Sequence, residues 1–212
     1  MYTDSPHGPA TAEARPAPAA STLKIRVAGI VLALGASAWG TGVIIAGDQG
    51  KKLSKLEEVT GIGYLAGLLA LAWVLRHTRA TGDRKGRFAP FVLMALLPLA
   101  AAFNVYSLVA LKSFDDPTPA WFPVLDASWP LSQLVLLILG IMTAVVGRFR
   151  GALRWHPLAC GLWLIVAMGA QASVGMDASA RIGGGWLILV TGGLGLHLAL
   201  RPRNTLGEDG GR

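Results

Sequence analysis

Apolar residues along this chain fall into six long blocks, and charged residues are confined almost entirely to the stretches between them. The hydrocarbon core of a bilayer is about 30 Å thick, and about 20 apolar residues in a helix are needed to cross it. Because each block has roughly that length, the pattern predicts six membrane-spanning helices. Their predicted bounds are about 25–46, 58–76, 88–111, 128–147, 157–176 and 182–200.

Composition supports an all-α, multi-pass membrane bundle. The 212 residues are 53% hydrophobic and only 15% charged, whereas a soluble domain is about 25% charged. Residues 1–22 are rich in Pro, Ala and small polar residues without a hydrophobic period, so we expect a disordered cytoplasmic tail there. The six-helix domain is predicted at 23–201, followed by a short cytoplasmic tail at 202–212.

The first apolar block resembles a secretory signal at its start. Lys24 and Arg26 precede the apolar stretch VAGIVLALG and the small residues ASA, as they would before a cleavage site. The apolar run nevertheless continues through WGTGVIIAG, which makes the block long enough to span a bilayer. We therefore expect an uncleaved first helix.

Basic residues are distributed unevenly between the two predicted sides. The side of both termini holds 14 of the 19 basic and 5 of the 12 acidic residues, a balance of +9, and the other side has a balance of −2. Because Lys and Arg are retained in cytoplasmic loops, both termini are predicted to be cytoplasmic. The expected location is a plasma membrane, and the Arg-rich, Lys-poor composition suggests a bacterial one. Anionic headgroups account for the basic residues, so the expected partner is the bilayer and not nucleic acid.

Polar side chains within the spans collect in the predicted outer half. At about 1.5 Å per residue, Asn104, Gln133 and Gln171 lie roughly 8–10 Å below the outer boundary, on three different helices. The predicted polar layer, and the candidate ligand site, comprises Tyr64, Asn104, Ser107, Trp129, Ser132, Gln133 and Gln171.

Two interpretations of this polar layer remain open from the sequence. Such side chains commonly form hydrogen bonds between membrane helices, and they can equally line a shallow pocket that opens outward. The expected function is a non-enzymatic membrane protein whose layer takes a small ligand, a lipid or a partner subunit, with homo-oligomerisation as one option. A permease is the alternative, although no charged residue lies in the central part of any span.

Catalytic motifs are absent from the sequence. Neither Gly-x-Ser-x-Gly nor His-Glu-x-x-His occurs. The loop KSFDDPTPAWFPVLDAS carries Asp115, Asp116, Trp121 and Asp126, and its three prolines would stiffen it. If the polar layer forms a pocket, this loop is its natural lid.

Three histidines fall near the predicted cytoplasmic boundary, and they are weak candidates for a metal or a b-type haem. These are His77, His156 and His197. Paired imidazoles can ligate haem iron. A histidine beside Arg and Trp in the headgroup region nevertheless has a low free-energy cost even when it binds no ligand. We expect no cofactor, and a membrane enzyme or haem protein ranks third.

Small residues and tryptophans complete the pattern. Gly63 and Gly67 have the Gly-x-x-x-Gly spacing that lets helices approach closely, and Ala36 and Gly40 repeat it in the first span. These positions predict tight packing or dimerisation. Trp39 and Trp129 fall near span boundaries, where tryptophans typically form an interfacial belt.

Overall fold

The computed structural model describes residues 19–47, 52–83, 85–113 and 115–205. Most of the two predicted tails, residues 1–18 and 206–212, lies outside the described residues. The first helix begins at Ala19, so the last four residues of the predicted N-terminal tail are helical. Residues 202–205, expected in the C-terminal tail, instead form a 3-10 turn in which Pro202 and Thr205 are buried.

The described residues fold into an all-α bundle. Five helical stretches in this part of the chain are long and apolar enough to cross a membrane, and α6 is a shorter apolar helix. The predicted fold class is therefore confirmed. The α-helices are α1 (Ala19–Ala46), α2 (Lys55–His77), α3 (Ala89–Ala110), α4 (Phe122–Val146), α5 (His156–Gly161), α6 (Trp163–Val174), α7 (Met176–Trp186) and α8 (Gly193–Leu200).

Local sequence explains where several helices begin and end. The Ser54 hydroxyl accepts a hydrogen bond from the Glu57 backbone N–H (3.3 Å), which caps α2 in the Ser-x-x-Glu pattern. Helix α4 ends at Val146 and is capped by Gly147, whose φ of +69° is the left-handed conformation that favours glycine. The Arg154 guanidinium donates to the Ala144 carbonyl in the last turn of α4, which satisfies one of the carbonyls left free at a helix end.

The two last predicted spans differ from regular helices. The fifth is divided into α5 and α6 at Leu162, where ψ is −8°. Gly175, with φ +85°, turns the chain directly into α7, so no extended loop separates the fifth and sixth spans. The sixth span is continuous over Met176–Leu200 but contains a π-helical segment, Leu187–Gly192, between α7 and α8.

Contacts between loops define the two ends of the bundle. We name the end of the bundle where α1 begins and α8 ends the terminal end. There, Arg148 in the α4–α5 connection forms an ion pair with Asp83 in the α2–α3 connection. The hydrogen bond from Arg148 holds the pKa of Asp83 below its ordinary value. The Arg150 N–H donates to the Asn204 carbonyl (3.2 Å), which ties the chain after α8 to the same end. At the opposite, distal end, the α1–α2 and α3–α4 connections meet in an isolated antiparallel bridge between Lys52 and Ser113.

Helix α1 packs between α2 and the last span through glycines. A Cβ at Gly35 would overlap the Gly63 carbonyl of α2. On the other side, a Cβ at Gly184 would stand 2.5 Å from the Gly40 carbonyl oxygen, and one at Gly40 would stand 2.6 Å from the Gly184 carbonyl oxygen. Backbones this close are typical of small-residue contacts between membrane helices. Gly40 thus packs tightly within one chain, as its spacing predicted.

Large apolar side chains cover the outside of the bundle. Val109 is 80% exposed, Leu189 76%, Val145 74% and Leu34 67%. These residues lie on four different spans, so the apolar surface surrounds the molecule. A soluble protein rarely exposes contiguous apolar surface of this extent, whereas lipid chains solvate it in a bilayer.

Candidate functional site

Four aromatic rings from four helices pack together in the distal half of the bundle. Trp39 of α1 lies at the centre, with ring centroids 4.5 Å from Tyr64 of α2, 4.9 Å from Trp129 of α4 and 4.9 Å from Trp163 of α6. Tyr64 is fully buried, and Trp39 is 6% exposed. We name these four residues the aromatic core.

A polar bridge crosses from α4 to α3 and α2 beside this core. The Trp129 indole N–H donates to Asn104 Oδ1 (2.7 Å), and Asn104 Nδ2 donates to the Glu58 backbone carbonyl (3.3 Å). A Cβ at Gly61 would lie 2.5 Å from Asn104 Nδ2, so the carboxamide fits only because Gly61 lacks a side chain. Asn104 is 3% exposed and uses both ends of its amide. It therefore joins three helices.

Gln133 lies deeper than this bridge and is only partly satisfied. The Tyr64 hydroxyl donates to Gln133 Oε1 (3.3 Å), but Gln133 Nε2 is buried and has no hydrogen-bond partner among the described residues. The neighbouring Ser132 differs, because its hydroxyl donates to the Trp129 carbonyl of its own helix (2.7 Å). An unsatisfied buried donor costs about 1–3 kcal/mol. Gln133 is thus a donor positioned for a polar group that the described residues do not supply.

Ser107 is a second buried group without a partner. Its hydroxyl oxygen makes no hydrogen bond within the described part of the chain. Ser107 follows Asn104 by one turn of α3, about 4.5 Å towards the distal end, whereas Gln133 follows Trp129 by about 6 Å in the opposite direction on antiparallel α4. The bridge between Asn104 and Trp129 therefore separates the two unpartnered groups along the bundle axis.

The structure brings most of the predicted polar layer together. Tyr64 contacts Gln133 through a hydrogen bond and Trp129 through its ring, and Asn104 joins them through Trp129. Gln171 does not join them, because its side chain is exposed on α6. Of the three carboxamides predicted to share this layer, only those of Asn104 and Gln133 do so. Gln171 lies outside it because α6 has no buried residue and packs mainly against α7.

The predicted lid residues lie beyond the distal end of this site. Asp116 Oδ2 accepts from the backbone N–H groups of Lys112 (2.7 Å) and Ser113 (3.1 Å), and these bonds hold its pKa below the ordinary value. Trp121 is half exposed and packs edge-on against Tyr106. Asp115 and Asp126 are exposed. Asp116 thus fixes the loop conformation, and the lid remains a prediction.

Two of the three histidines lie together at the terminal end. The His156 and His197 rings meet edge-on with centroids 6.2 Å apart, whereas His77 stacks on Trp73 of its own helix at 4.8 Å. The Asn204 amide donates to His197 Nε2 (3.4 Å), so this ring already has a protein partner. Within the described residues, no group of three or more His, Cys, Asp or Glu side chains could hold a metal ion.

Comparison with known proteins adds no functional assignment. No protein-family model, curated protein or solved structure matches this chain.

Sequence reasoning missed three contributors to the site. Trp39 was expected in an interfacial belt, and this was wrong, since its ring is the centre of the aromatic core. The small residues around it, Gly35 and Gly40, were the available signal, because a helix face with glycines packs inward. Trp163 packs against Trp39 with tilted rings whose centroids are 4.9 Å apart, and the sequence does not predict this contact. Nothing in the sequence indicates that the backbone carbonyl of Glu58 accepts a hydrogen bond from Asn104.

The bridge between Asn104 and Trp129 is expected to show an interaction energy of about 1 kcal/mol. Asn104→Ala and Trp129→Phe each remove the 2.7 Å hydrogen bond, so the double variant should be destabilised by less than the sum of the two. The measurement is the free energy of unfolding in mixed micelles for the four proteins of a double-mutant cycle.

A matched control for this cycle is Asn104→Ala with Trp163→Phe. The Trp163 indole donates to the Gly183 carbonyl (3.0 Å) and not to Asn104. This pair should be additive within about 0.5 kcal/mol. Equal interaction energies in both cycles would contradict a specific hydrogen bond.

Proposed function

We propose that this integral membrane protein binds a small ligand carrying a hydrogen-bond acceptor at Gln133, beneath the bridge between Asn104 and Trp129. The observation that supports the proposal is the buried, unpartnered Gln133 Nε2 beside the aromatic core. Buried polar groups without partners are rare in folded proteins and often mark functional positions.

The access route in this proposal runs from the distal end. The excess of basic residues at the terminal end predicts that the distal end faces outward. A ligand arriving there would meet the unpartnered Ser107 hydroxyl first, then the Asn104–Trp129 bridge, and then Gln133. Opening the bridge costs one hydrogen bond, and a ligand acceptor at Gln133 offsets that cost. The aromatic rings supply apolar contact for the rest of the ligand.

Ligand recognition is favoured over transport by the distribution of polar groups. Below Gln133 the core is formed largely by apolar residues such as Leu68, Leu136 and Leu139, all fully buried. One feature supports a permease as the second candidate: the break at Leu162 and the π-helical segment are discontinuities of the kind that transporters place at binding sites.

The expected result is that Gln133→Leu abolishes binding of a ligand that wild-type protein retains. Purified protein in nanodiscs is incubated with a small-molecule extract of the expression host and released into a native mass spectrometer. We expect a guest mass on wild type and none on Gln133→Leu, because leucine removes the donor at nearly the same volume. Ser132→Ala is the matched control and should keep the guest, since the Ser132 hydroxyl is satisfied by its own helix.

Two outcomes would contradict ligand binding at Gln133. Identical spectra for wild type and Gln133→Leu would place any guest elsewhere. A Gln133→Leu protein that fails to fold would show that the side chain is a structural element, as hydrogen bonds between membrane helices often are. If the guest instead accumulates inside sealed proteoliposomes, the permease replaces the simple binding protein.

A further inference from the structure

A cavity of about 380 Å³ lies at the terminal end, far from the aromatic core. It forms where the N-terminal part of α1 meets the chain that follows α8. Three arginines line it: Arg26 from α1, and Arg201 and Arg203 from the turn after α8. Thr22 and Asn204 add a hydroxyl and a carboxamide. The volume falls in the range of about 300–1,000 Å³ that small-molecule sites occupy.

Close helix packing brings these arginines together. A Cβ at Gly29 of α1 would lie 2.5 Å from the Gly195 carbonyl oxygen of α8, so the two backbones are in contact one turn from Arg26. This contact places the end of α8 beside Arg26. It cannot loosen without opening the α1–α8 interface.

The turn that carries Arg201 and Arg203 is also fixed. The Thr205 hydroxyl donates to the Pro202 carbonyl (2.7 Å), and both residues are buried. The Asn204 carbonyl accepts from the Arg150 N–H, and its amide donates to His197. Arg201 and Arg203 therefore project from a turn held by three hydrogen bonds, which lowers the entropy lost when a ligand binds.

The charge of this cavity is not balanced by the described residues. The ion pairs in the described part of the chain at this end join Asp83 to Arg79 and Arg148, and they leave Arg26, Arg201 and Arg203 without a carboxylate. The three arginines are exposed to solvent, and each brings a positive charge to the cavity. An anion with several acceptor oxygens would offset these charges and accept bidentate hydrogen bonds.

We propose that this cavity binds a phosphate ester of net negative charge, the chemistry shared by an anionic lipid headgroup and a soluble phosphate ester and absent from zwitterionic phosphatidylcholine. Phosphate matches the planar, multiple donors of arginine. The lipid is favoured as the source, because Leu200 lines the cavity and is 67% exposed. An acyl chain can lie on this side chain while the phosphate enters the cavity. Basic pockets at the ends of membrane helices bind lipid headgroups in this way.

The test uses native mass spectrometry of the full-length protein from nanodiscs that contain phosphatidylglycerol or phosphatidylcholine. We expect retained phosphatidylglycerol adducts on wild type and a decrease of about fivefold for Arg26→Gln or Arg201→Gln. Lys24→Gln is the matched control: it removes one positive charge from the same end of α1 but does not line the cavity. Its adducts should change by less than about twofold.

Further arms separate the sources and keep the result interpretable. Arg26→Lys keeps the charge and should retain more phosphatidylglycerol than Arg26→Gln, which excludes a folding defect as the cause of the loss. Displacement of the lipid by soluble glycerol phosphate would support the phosphate site and assign it to a soluble ester, whereas no displacement supports the lipid. Equal retention of phosphatidylcholine, or equal adducts on the arginine variants and Lys24→Gln, would overturn the proposal.

Discussion

Replacing Trp39 with alanine is expected to lower the free energy of unfolding by about 3–5 kcal/mol, the range for large aromatic residues deleted from a packed core. Trp39 is 6% exposed, and its ring contacts three other aromatic rings from three helices. Lipid cannot enter the space that the indole leaves, because the ring lies inside the bundle. The neighbouring rings would then lose their contacts on one side.

The measurement is unfolding of the purified protein in micelles by an increasing mole fraction of dodecyl sulfate. Trp121→Ala is the control, since Trp121 is half exposed at the distal end and should cost less than about 1 kcal/mol. A cost for Trp39→Ala as small as that of the control would show that the aromatic core does not hold α1 in the bundle.

Gly184→Ala is expected to destabilise the protein by about 1–3 kcal/mol, although it adds only one methyl group. The new Cβ would lie 2.5 Å from the Gly40 carbonyl oxygen and 2.6 Å from Ile44 Cγ1. The first atom belongs to the backbone, so relief requires α1 and α7 to move apart. That movement would also weaken the reciprocal contact at Gly40.

Gly185→Ala is the matched control on the same helix. A Cβ at Gly185 would meet nothing within 4 Å. Alanine has the higher helix propensity of the two residues, so this variant should be neutral or slightly stabilising. Unfolding free energies of both variants, measured in the same micelles, test the contact. Equal effects at the two positions would contradict close packing at Gly184.

The sequence predicted the membrane helices well because their signal is local. Apolar length alone places both ends of α2 and α3, and the C-terminal end of α4, within a few residues of their observed bounds. Helix α4 begins earlier than predicted, at Phe122 and not at 128. The reason for this difference is that FPVLDAS contains Pro123 and Asp126, and both residue types are typical of loops. Proline is tolerated in the first turn of a helix, and the exposed Asp126 remains in solvent at the helix end.

The composition of the site was less predictable. Depth along a helix follows from counting residues, so Asn104 and Gln133 were placed in the same half of the bundle. Rotation about the helix axis does not follow from counting when almost every position is apolar. For this reason the exposure of Gln171 and the inward direction of Trp39 could not be obtained from depth alone.

The sequence by itself determined that this chain is an α-helical membrane protein, which residues form most of its spans and on which side its basic residues gather. These properties depend on hydrophobic length and charge, which are sums over neighbouring residues. Only the tertiary structure decided that Asn104 forms hydrogen bonds with Trp129 and Glu58 while Gln133 Nε2 has no partner among the described residues. The tertiary structure also decided that Arg26 shares one cavity with Arg201 and Arg203, which lie far away in the sequence. Those outcomes depend on which helix faces meet, and in this bundle backbone contacts at glycines set that geometry.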